Sequence, residues 1–428
     1  MKKVLMVTYS FPPKGDAGVQ RSLKFVKYLR NFGWEPLVLT REIKNMGTMD
    51  ESLLKDVPEG VKIFRTNPWK FDELRGILNY PGRFINRKLL VPDGERLWAV
   101  FSKKTAVGII ENEKPDMLYT TSVPYSSHLL GLYLKKRYPK LPWVADFRDE
   151  WTNNPYLLDN PHNKLRMDRE RRMEHEVLKN ADQLVTNTPV MLRNFLENNK
   201  DMALDDHFCV IPNGYDSEDF AAVTGKPAGN RLFTITYTGT LYGRRKPDYF
   251  FQALGESIDE GAVDPAKMTV QLIGALQKGP LEQQLEKYGL KDVVRLLPYM
   301  DHDECLRHTS GSDALLLIEG GGPGAEAFYT GKVFEYLATG RPILANIPAK
   351  GAAASLIRDT QTGLVSDFND IAETKKNLKL LYGAWQEGRE ILSPRKDAIA
   401  RFERKALTGE LAKVFERAEE RVEKPAQL

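Results

Sequence analysis

Short apolar runs alternate with amphipathic segments along the 428-residue chain. Runs of this kind are typical of strands buried in parallel sheets, and the segments between them repeat apolar positions at helical spacing. The runs of the first half that predict strands are residues 4–7, 36–40, 61–65, 117–121, 143–147, 183–186 and 208–211. Those of the second half are residues 233–238, 268–274, 293–298, 314–318, 343–347 and 363–366.

This alternation predicts an α/β protein made of two Rossmann-like domains. Residues 221–230 are rich in Gly, Pro and Ala and form the predicted linker, which separates a first domain (1–220) from a second (221–395). Residues 396–428 contain a predicted helix with one apolar face, formed by Leu407, Leu411, Val414 and Phe415. Ligands of doubly wound sheets bind beyond the carboxyl ends of the strands, so the loops there are the candidate sites.

Composition excludes several classes of function. The 62 basic and 58 acidic residues leave a net charge of +4, which is too small to indicate a nucleic-acid partner. Two cysteines and six scattered histidines predict neither a disulfide framework nor a metal site. The first apolar run is too short for an export signal, and no run is long enough to span a bilayer. We therefore expect a cytoplasmic protein.

Glu335 lies in the most informative segment of the chain, residues 320–344. Four glycines precede a predicted helix that Thr330 can cap and Gly340 can end. The free backbone N–H groups at its start, from Thr330 through Gly331 to Val333, together with the side chain of Lys332, predict an anion-binding site. Glu335, one turn deeper, can accept hydrogen bonds from a sugar diol. The alternative is a surface helix that carries one solvated carboxylate.

This segment, which ends in Ala-Thr-Gly-Arg-Pro-Ile at 338–343, resembles the retaining glycosyltransferases of family 4. The resemblance implies a GT-B fold, in which two Rossmann-like domains face each other across a cleft and a C-terminal helix returns to the first domain. It also implies a nucleoside diphosphate sugar as donor substrate, with no cofactor and no metal ion. The family has a first Glu eight positions before Glu335, where this chain has Ala327. Glu326, one residue out of register, is the candidate contact to the donor sugar.

The loop at 237–247 resembles the family's donor pyrophosphate loop. Thr240 occupies the position of the usual Arg, and Lys246 matches the usual Lys. Arg244 or Arg245 is a candidate substitute for the missing Arg. The resemblance implies that Arg244 and Lys246 are the catalytic cations and that Thr240 contacts the donor. A solvated cationic loop is the alternative.

The first domain also carries similarities to the family. Residues 11–21 resemble its first loop, in which Gly15 and Gly18 allow the donor to approach the backbone. A tight turn without a ligand explains Gly18 equally well. Residues 121–128 and 143–151 resemble the subset of the family that makes bacterial surface sugars.

These two segments contain the remaining candidates. Ser122, Tyr125 and His128 are assigned to the acceptor side, although His128 also fits a packed core or surface histidine. Where many relatives have a histidine, this chain has Arg148, a candidate phosphate ligand, and Asp149, a candidate catalytic group that assists the acceptor hydroxyl. A structural ion pair between them is the alternative.

Residues 67–104 interleave aromatic and basic side chains. This pattern fits either an insertion packed on its own domain or a peripheral contact with anionic lipid at the inner face of a membrane. The combined prediction is a retaining, metal-independent glycosyltransferase that moves a sugar to a glycan or a lipid-linked acceptor, as in polysaccharide biosynthesis. The alternatives are a nucleotide-sugar epimerase or hydrolase and a non-catalytic nucleotide-binding partner protein.

Overall fold

The structure, a computed structural model, describes residues 1–15, 17–43, 49–67, 90–221 and 232–423. It divides into two compact units. The first comprises Met1–Pro212 together with the C-terminal segment from Arg404, and the second comprises Asn213–Glu403. The sequence prediction set these boundaries at residues 220 and 395. Each unit contains one parallel sheet flanked by helices, so the predicted fold class is confirmed.

The first unit is built on a seven-stranded parallel sheet with the order β3-β2-β1-β4-β5-β6-β7. Its strands are β1 (Lys2–Val7), β2 (Trp34–Arg41), β3 (Lys62–Thr66), β4 (Met117–Ser122), β5 (Trp143–Phe147), β6 (Gln183–Thr186) and β7 (Phe208–Val210). From β1 the chain adds β2 and β3 on one side of the sheet, and it then adds β4 to β7 on the other side, so the strand order reverses between β1 and β4. This switch point is where doubly wound sheets leave room for a ligand.

Seven helices among the described residues flank this sheet: Ala17–Tyr28, Arg96–Glu113, Ser126–Arg137, Pro155–Asp159, Lys164–Asn180, Pro189–Asn198 and Arg404–Glu423. The last helix buries its predicted apolar face in the core of this unit. The ring of Phe415 packs edge to face on Trp34 at 5.0 Å and on Tyr119 at 6.1 Å. The C-terminal helix therefore returns to the first unit, as predicted.

The second unit contains a six-stranded parallel sheet with the order β10-β9-β8-β11-β12-β13. Its strands are β8 (Phe233–Thr238), β9 (Met268–Ile273), β10 (Val294–Leu297), β11 (Ala314–Ile318), β12 (Ile343–Asn346) and β13 (Gly363–Ser366). Its described helices are Asp248–Asp259, Lys278–Lys287, His302–Ser310, Gly331–Thr339, Ala352–Thr360, Ile371–Glu387 and Lys396–Ala400. The switch point of this sheet lies between β8 and β11.

Two predicted segments lie largely outside the described residues. They are the linker, of which 222–230 is not described, and the aromatic and basic segment, of which 68–89 is not described. At the end of the second segment, Trp98 is fully buried in the first unit. No helix of the described chain has both the length and the apolar character that crossing a bilayer requires.

A buried ion pair joins the elements of the first unit at its switch point. Arg21, 1% exposed, donates from Nε and Nη2 to the carboxylate of Asp146 at 2.8 Å, and Asp146 is fully buried. Burial alone would raise the pKa of Asp146, but the charge and hydrogen bonds of Arg21 outweigh it and keep that pKa below its ordinary value. Tyr119 and Thr121 of β4 also donate to this carboxylate.

We expect Asp146→Ala to destabilise the first unit by about 3 to 5 kcal/mol, because it leaves the Arg21 guanidinium buried without its partner. The measurement is urea denaturation of the full chain, followed through the transition of the first unit. Glu176→Ala is the matched control, since it breaks an exposed 2.7 Å pair with Lys136 and should cost at most about 1 kcal/mol. Equal costs for the two variants would contradict a structural role for the buried pair.

Candidate functional site

The switch point of the second unit brings three predicted segments together. The loop 239–247 follows β8, the glycine loop 320–324 follows β11, and the helix Gly331–Thr339 comes next in the chain. The loops pack backbone to backbone, because a Cβ atom on Gly320 would lie 2.2 Å from the carbonyl oxygen of Arg244. Glycine is therefore required there for the two loops to meet.

Lys332 places a buried ammonium group at the centre of this region. Its Nζ lies 3.9 Å from the centre of the Tyr237 ring. A Cβ atom on Gly239 would lie 2.9 Å from this Nζ atom. Within the described chain, this Nζ is buried and has no hydrogen-bond partner. Burial, followed by the nearby charge of Arg245, lowers the pKa of Lys332 to about 7. A buried cation without a hydrogen-bond acceptor favours the binding of an anion.

The start of the helix Gly331–Thr339 adds donors to the same region. Thr330 takes the N-cap position, but its side chain makes no capping hydrogen bond, which corrects the sequence prediction. Its Oγ1 is buried and, among the described residues, has no hydrogen-bond partner. The first backbone bond at this end runs from Val333 N to Thr330 O at 3.2 Å, so the preceding N–H groups of Gly331 and Lys332 have no partner within the helix.

The three consecutive cations of the loop after β8 have different surroundings. Arg245 Nε donates to both carboxylate oxygens of Glu319 at 2.8 and 2.9 Å, so its charge is compensated. Arg244 Nη1 donates to Pro323 O at 2.9 Å, and Lys246 is exposed. Arg244 therefore suits the role of the missing Arg better than Arg245 does. Thr240, at the usual Arg position, is exposed.

Glu335 lies one turn inside the helix, and its side chain is 31% exposed. His302 Nε2 lies 2.9 Å from Glu335 Oε1, at the start of the helix that follows β10. The sequence analysis missed His302, although Asp301, an N-cap residue shortly after a predicted strand, marks the helix start beside it. A carboxylate held by a histidine on one side can still accept hydrogen bonds from a ligand on the other.

Glu326 and Ala327 lie in a short 3-10 turn between the glycine loop and this helix. Ala327 is 2% exposed, whereas Glu326 is exposed. The two side chains therefore occupy different environments. A contact between Glu326 and the donor sugar stays a prediction.

Arg148 joins three loops of the first unit at the carboxyl edge of its sheet. Its guanidinium donates to the backbone carbonyls of Ser122, of Gly18 at 2.7 Å and of Val123 at 3.1 Å. These contacts connect the loop after β5 to the end of β4 and to the start of the helix Ala17–Tyr28. Gly15, in the loop before this helix, and Asp149 are partly buried at the same edge.

The acceptor-side candidates are more deeply packed than the sequence analysis expected. His128 is fully buried with Nδ1 at 2.8 Å from Thr120 Oγ1, and burial lowers its pKa to about 3. Ser122 is fully buried as well. The structure thus places both side chains in the core of the first unit, and their assignment to the acceptor side stays a prediction. The Tyr125 ring stacks on Trp151 at 4.9 Å.

Three carboxyl groups of the first unit were not singled out by the sequence analysis. Burial raises the pKa values of Asp93, Glu150 and Glu174 to about 7. Asp93 accepts from Ser126 Oγ at 2.6 Å, and Glu150 accepts from Asn194 Nδ2 at 3.2 Å. No sequence pattern marks these groups, because their burial depends on segments that are distant along the chain.

Comparison with known proteins agrees with this architecture. Residues 18–214 match the family described as glycosyl transferase 4-like domain. No curated protein sequence matches the chain. The matched residues include Gly18, Arg148 and Asp149.

Solved structures resemble the whole chain. A sucrose-phosphate synthase from Thermosynechococcus elongatus is 14% identical with a TM-score of 0.64, over 97% of this chain and 98% of that chain. WaaG, a glycosyltransferase involved in lipopolysaccharide biosynthesis, is 14% identical with a TM-score of 0.59, over 96% and 99%. The catalytic domain of starch synthase IV from Arabidopsis thaliana, bound to ADP and acarbose, is 11% identical with a TM-score of 0.61, over 98% and 100%. The chain therefore has the GT-B fold of glycosyltransferases.

We expect one lysine to titrate near pH 7 in the free protein and at higher pH with pyrophosphate, because a bound anion favours the charged ammonium. The ¹³Cε signals of labelled lysines measure this directly, and Lys332→Met should remove the titrating signal. Anion affinity should accordingly fall as pH rises through about 7. If every lysine titrates near pH 10 without ligand, the buried ammonium is not an anion-binding group.

Proposed function

We propose that this protein is a glycosyltransferase that moves a sugar from a nucleoside diphosphate sugar to an acceptor hydroxyl with retention of configuration. The observation that carries the proposal is the buried Nζ of Lys332, without a hydrogen-bond partner among the described residues, at the switch point of the second unit. The helix start at Thr330 and Gly331 lies beside it and suits the same diphosphate.

The remaining groups of this unit have complementary roles in the proposed donor complex. Glu335 accepts hydrogen bonds from the ribose hydroxyls. Arg244 and Lys246 face the phosphates from the loop after β8. The resemblance to the starch synthase structure that holds ADP supports a nucleoside diphosphate at this unit.

The proposed reaction needs stabilisation of charge more than a strong base. The bond between sugar C1 and the phosphate oxygen breaks, and its electron pair goes to the leaving diphosphate. The acceptor oxygen bonds to C1 on the same face, and its proton passes to a phosphate oxygen. Arg244, Lys246 and Lys332 stabilise the growing charge on the diphosphate, which lowers the barrier. Asp149 of the first unit orients the acceptor hydroxyl.

The acceptor is proposed to be a glycan or a lipid-linked intermediate at the cytoplasmic face of a membrane. The resemblance to WaaG, which is involved in lipopolysaccharide biosynthesis, supports this class of acceptor. The basic and aromatic residues between 67 and 104 supply the proposed peripheral membrane contact.

The test combines binding with stereochemistry. Calorimetry with uridine, guanosine, adenosine and cytidine diphosphates identifies the base, and NMR of the product formed from the matching donor gives the anomeric configuration. Product with the donor's configuration, formed equally well with EDTA, is the expected result. Inversion of configuration, or strict dependence on Mg²⁺, would overturn the corresponding part of the mechanism.

A non-catalytic nucleotide-binding partner protein is the second candidate. Ala327, 2% exposed, stands where the family has an acidic residue that contacts the donor sugar. Such a protein would bind a nucleoside diphosphate but would transfer no sugar to any acceptor.

We expect Glu335→Ala to weaken nucleoside diphosphate binding by roughly 1.5 to 3 kcal/mol, because a charge-assisted hydrogen bond to the ribose is lost. Calorimetry measures this change, and circular dichroism checks that the fold is intact. Glu282→Ala, an exposed substitution on the helix Lys278–Lys287, is the control and should leave affinity unchanged. Unchanged affinity for Glu335→Ala would remove Glu335 from the site.

We expect replacement of both Arg244 and Lys246 by Gln to lower kcat more than it weakens donor binding. The charge on the diphosphate grows toward the transition state, so these cations act more strongly there than in the ground state. Steady-state kinetics separates the two effects. The control variant, Lys287→Gln with Lys291→Gln, removes the same charge from exposed positions just before β10. It should leave kcat and donor affinity unchanged. A normal kcat in the variant that lacks Arg244 and Lys246 would show that these side chains are solvated and do not stabilise the transition state.

A further inference from the structure

His302 holds one oxygen of the Glu335 carboxylate. Its Nε2 lies 2.9 Å from Glu335 Oε1, and the two side chains are 21% and 31% exposed. An ionised carboxylate only accepts hydrogen bonds, so Nε2 carries the proton and donates it. The bond fixes the orientation of the carboxylate plane. Because a carboxylate has about four lone-pair sites, this bond is compatible with further donors from a ligand.

The helix that carries Glu335 is rigid on both sides of this residue. Tyr336, the next residue, is fully buried, and its hydroxyl accepts a hydrogen bond from the backbone N–H of Thr238, at the end of β8, at 3.0 Å. Phe334, the preceding residue, is fully buried as well. The backbone at Glu335 therefore has a fixed position, and only its side-chain torsions can move the carboxylate. The hydrogen bond from His302 restricts these torsions.

The helix His302–Ser310 holds the histidine in turn. Asp301 takes its N-cap position and accepts a hydrogen bond from the backbone N–H of Glu304 at 2.7 Å. Leu306, about one turn further along, is 1% exposed and anchors the helix in the second unit. Both partners of the pair therefore belong to rigid elements, as a precisely oriented hydrogen bond requires.

Glu335 also has a defined place relative to the buried ammonium of Lys332. The two residues are three positions apart and thus lie on the same face of their helix. Burial lowers the pKa of Lys332 to about 7, and the charge of Glu335 opposes this shift. A separation of one helical turn between an anion site and a carboxylate suits a ligand in which a phosphate is joined to a ribose.

We propose that His302 is a positioning residue through which this site selects ribonucleoside diphosphates against their 2′-deoxy counterparts. A carboxylate held in one orientation accepts from both hydroxyls of a ribose, and a missing 2′-hydroxyl leaves it without one of these donors. A carboxylate that turns freely regains that hydrogen bond from water. Selection therefore requires that Glu335 be held. This inference rests on the proposed function, which assigns Glu335 to the ribose.

The test measures two affinities by calorimetry, in wild type and in His302→Leu. The ligands are the tightest binder among the uridine, guanosine, adenosine and cytidine diphosphates and its 2′-deoxy counterpart. Wild type should bind the ribonucleotide about tenfold more tightly, and His302→Leu should reduce this ratio to less than about threefold. His302→Gln, whose amide can donate in place of Nε2, should keep most of the ratio. The same ratio in wild type and His302→Leu would overturn the proposal.

His308→Leu is the matched control. It removes a second histidine of the same helix, whose Nδ1 lies 3.0 Å from Gln271 Oε1 on β9. A general loosening of the helix lowers both affinities together, whereas the loss of an oriented carboxylate changes their ratio. The control should therefore keep the wild-type ratio. Equal loss of the ratio in His302→Leu and His308→Leu would show that only the integrity of the helix matters, and would overturn the role of His302.

The NMR signals of the His302 ring test the pair without any nucleotide. A carboxylate at 2.9 Å favours the imidazolium form, so His302 should titrate at lower pH in Glu335→Gln than in wild type. Asp301, Asp303 and Glu304 also lie at this helix start, but their charges are common to both proteins. The comparison thus isolates the charge of Glu335. Identical titration of His302 in the two proteins would contradict the pair on which the proposal depends.

The outcomes separate this inference from the proposed function. A wild type that binds a ribonucleoside diphosphate, with a ratio that His302→Leu leaves unchanged, removes the role of His302 and leaves the donor proposal standing. If wild type binds none of the four nucleoside diphosphates, the donor proposal fails, and the selection by His302 fails with it. The His302 titration then still reports whether the pair with Glu335 exists.

Discussion

The buried pair of Arg21 and Asp146 is the constraint on which the first unit depends. The two residues are 125 positions apart in the chain, and the pair ties the helix Ala17–Tyr28 to the end of β5. Arg21 also donates to the carbonyls of Ile211 and Pro212 at 2.9 Å, the last residues of this unit before the chain enters the second. A buried charge pair costs desolvation, but its fixed geometry orients everything bonded to it.

The buried pair positions the candidate residues of the first unit, because Gly18 and Arg148 lie close to it along the chain. Gly18 lies one helical turn before Arg21, and Arg148 follows Asp146 by two positions on the same chain segment. The hydrogen bond from Arg148 to Gly18 O at 2.7 Å connects the same two chain segments at a less buried position. The helix Ala17–Tyr28 and the chain segment at the end of β5 are thus connected twice, once by the buried ion pair and once by the hydrogen bond from Arg148.

Lys332 in the second unit represents the opposite arrangement. Arg21 is neutralised by its own chain, whereas the Nζ of Lys332 lies over the Tyr237 ring and has no hydrogen-bond partner among the described residues, and its burial lowers its pKa to about 7. The folded unit therefore bears a desolvation cost that an anion would relieve. Groups whose ordinary charge is disfavoured by the fold occur at functional sites more often than elsewhere.

The sequence predicted the sheets well, because their strands are short runs of buried apolar residues whose pattern is local. It also placed Gly320, Lys332 and Glu335 in one region, since all three belong to the glycine loop and helix of segment 320–344, which follows a predicted strand. It could not predict the ring contact of Lys332 or the partner of Arg245, which depend on the pairing of β8 with β11. The contact of His302 with Glu335 was missed for a similar reason, because it joins two helices that are distant along the chain.

The turn at Glu326 and Ala327 affects which groups can stabilise the transition state of the proposed reaction. A carboxylate in the place of Ala327 would have to be buried, because that position is 2% exposed. Glu326 faces solvent instead, so this turn offers no buried acidic group to the donor sugar. Stabilisation of the sugar's positive charge from this turn is then weak, and more of the barrier must be lowered at the diphosphate. In the proposed mechanism, that demand falls on Arg244, Lys246 and Lys332, whose charges act where the leaving group forms.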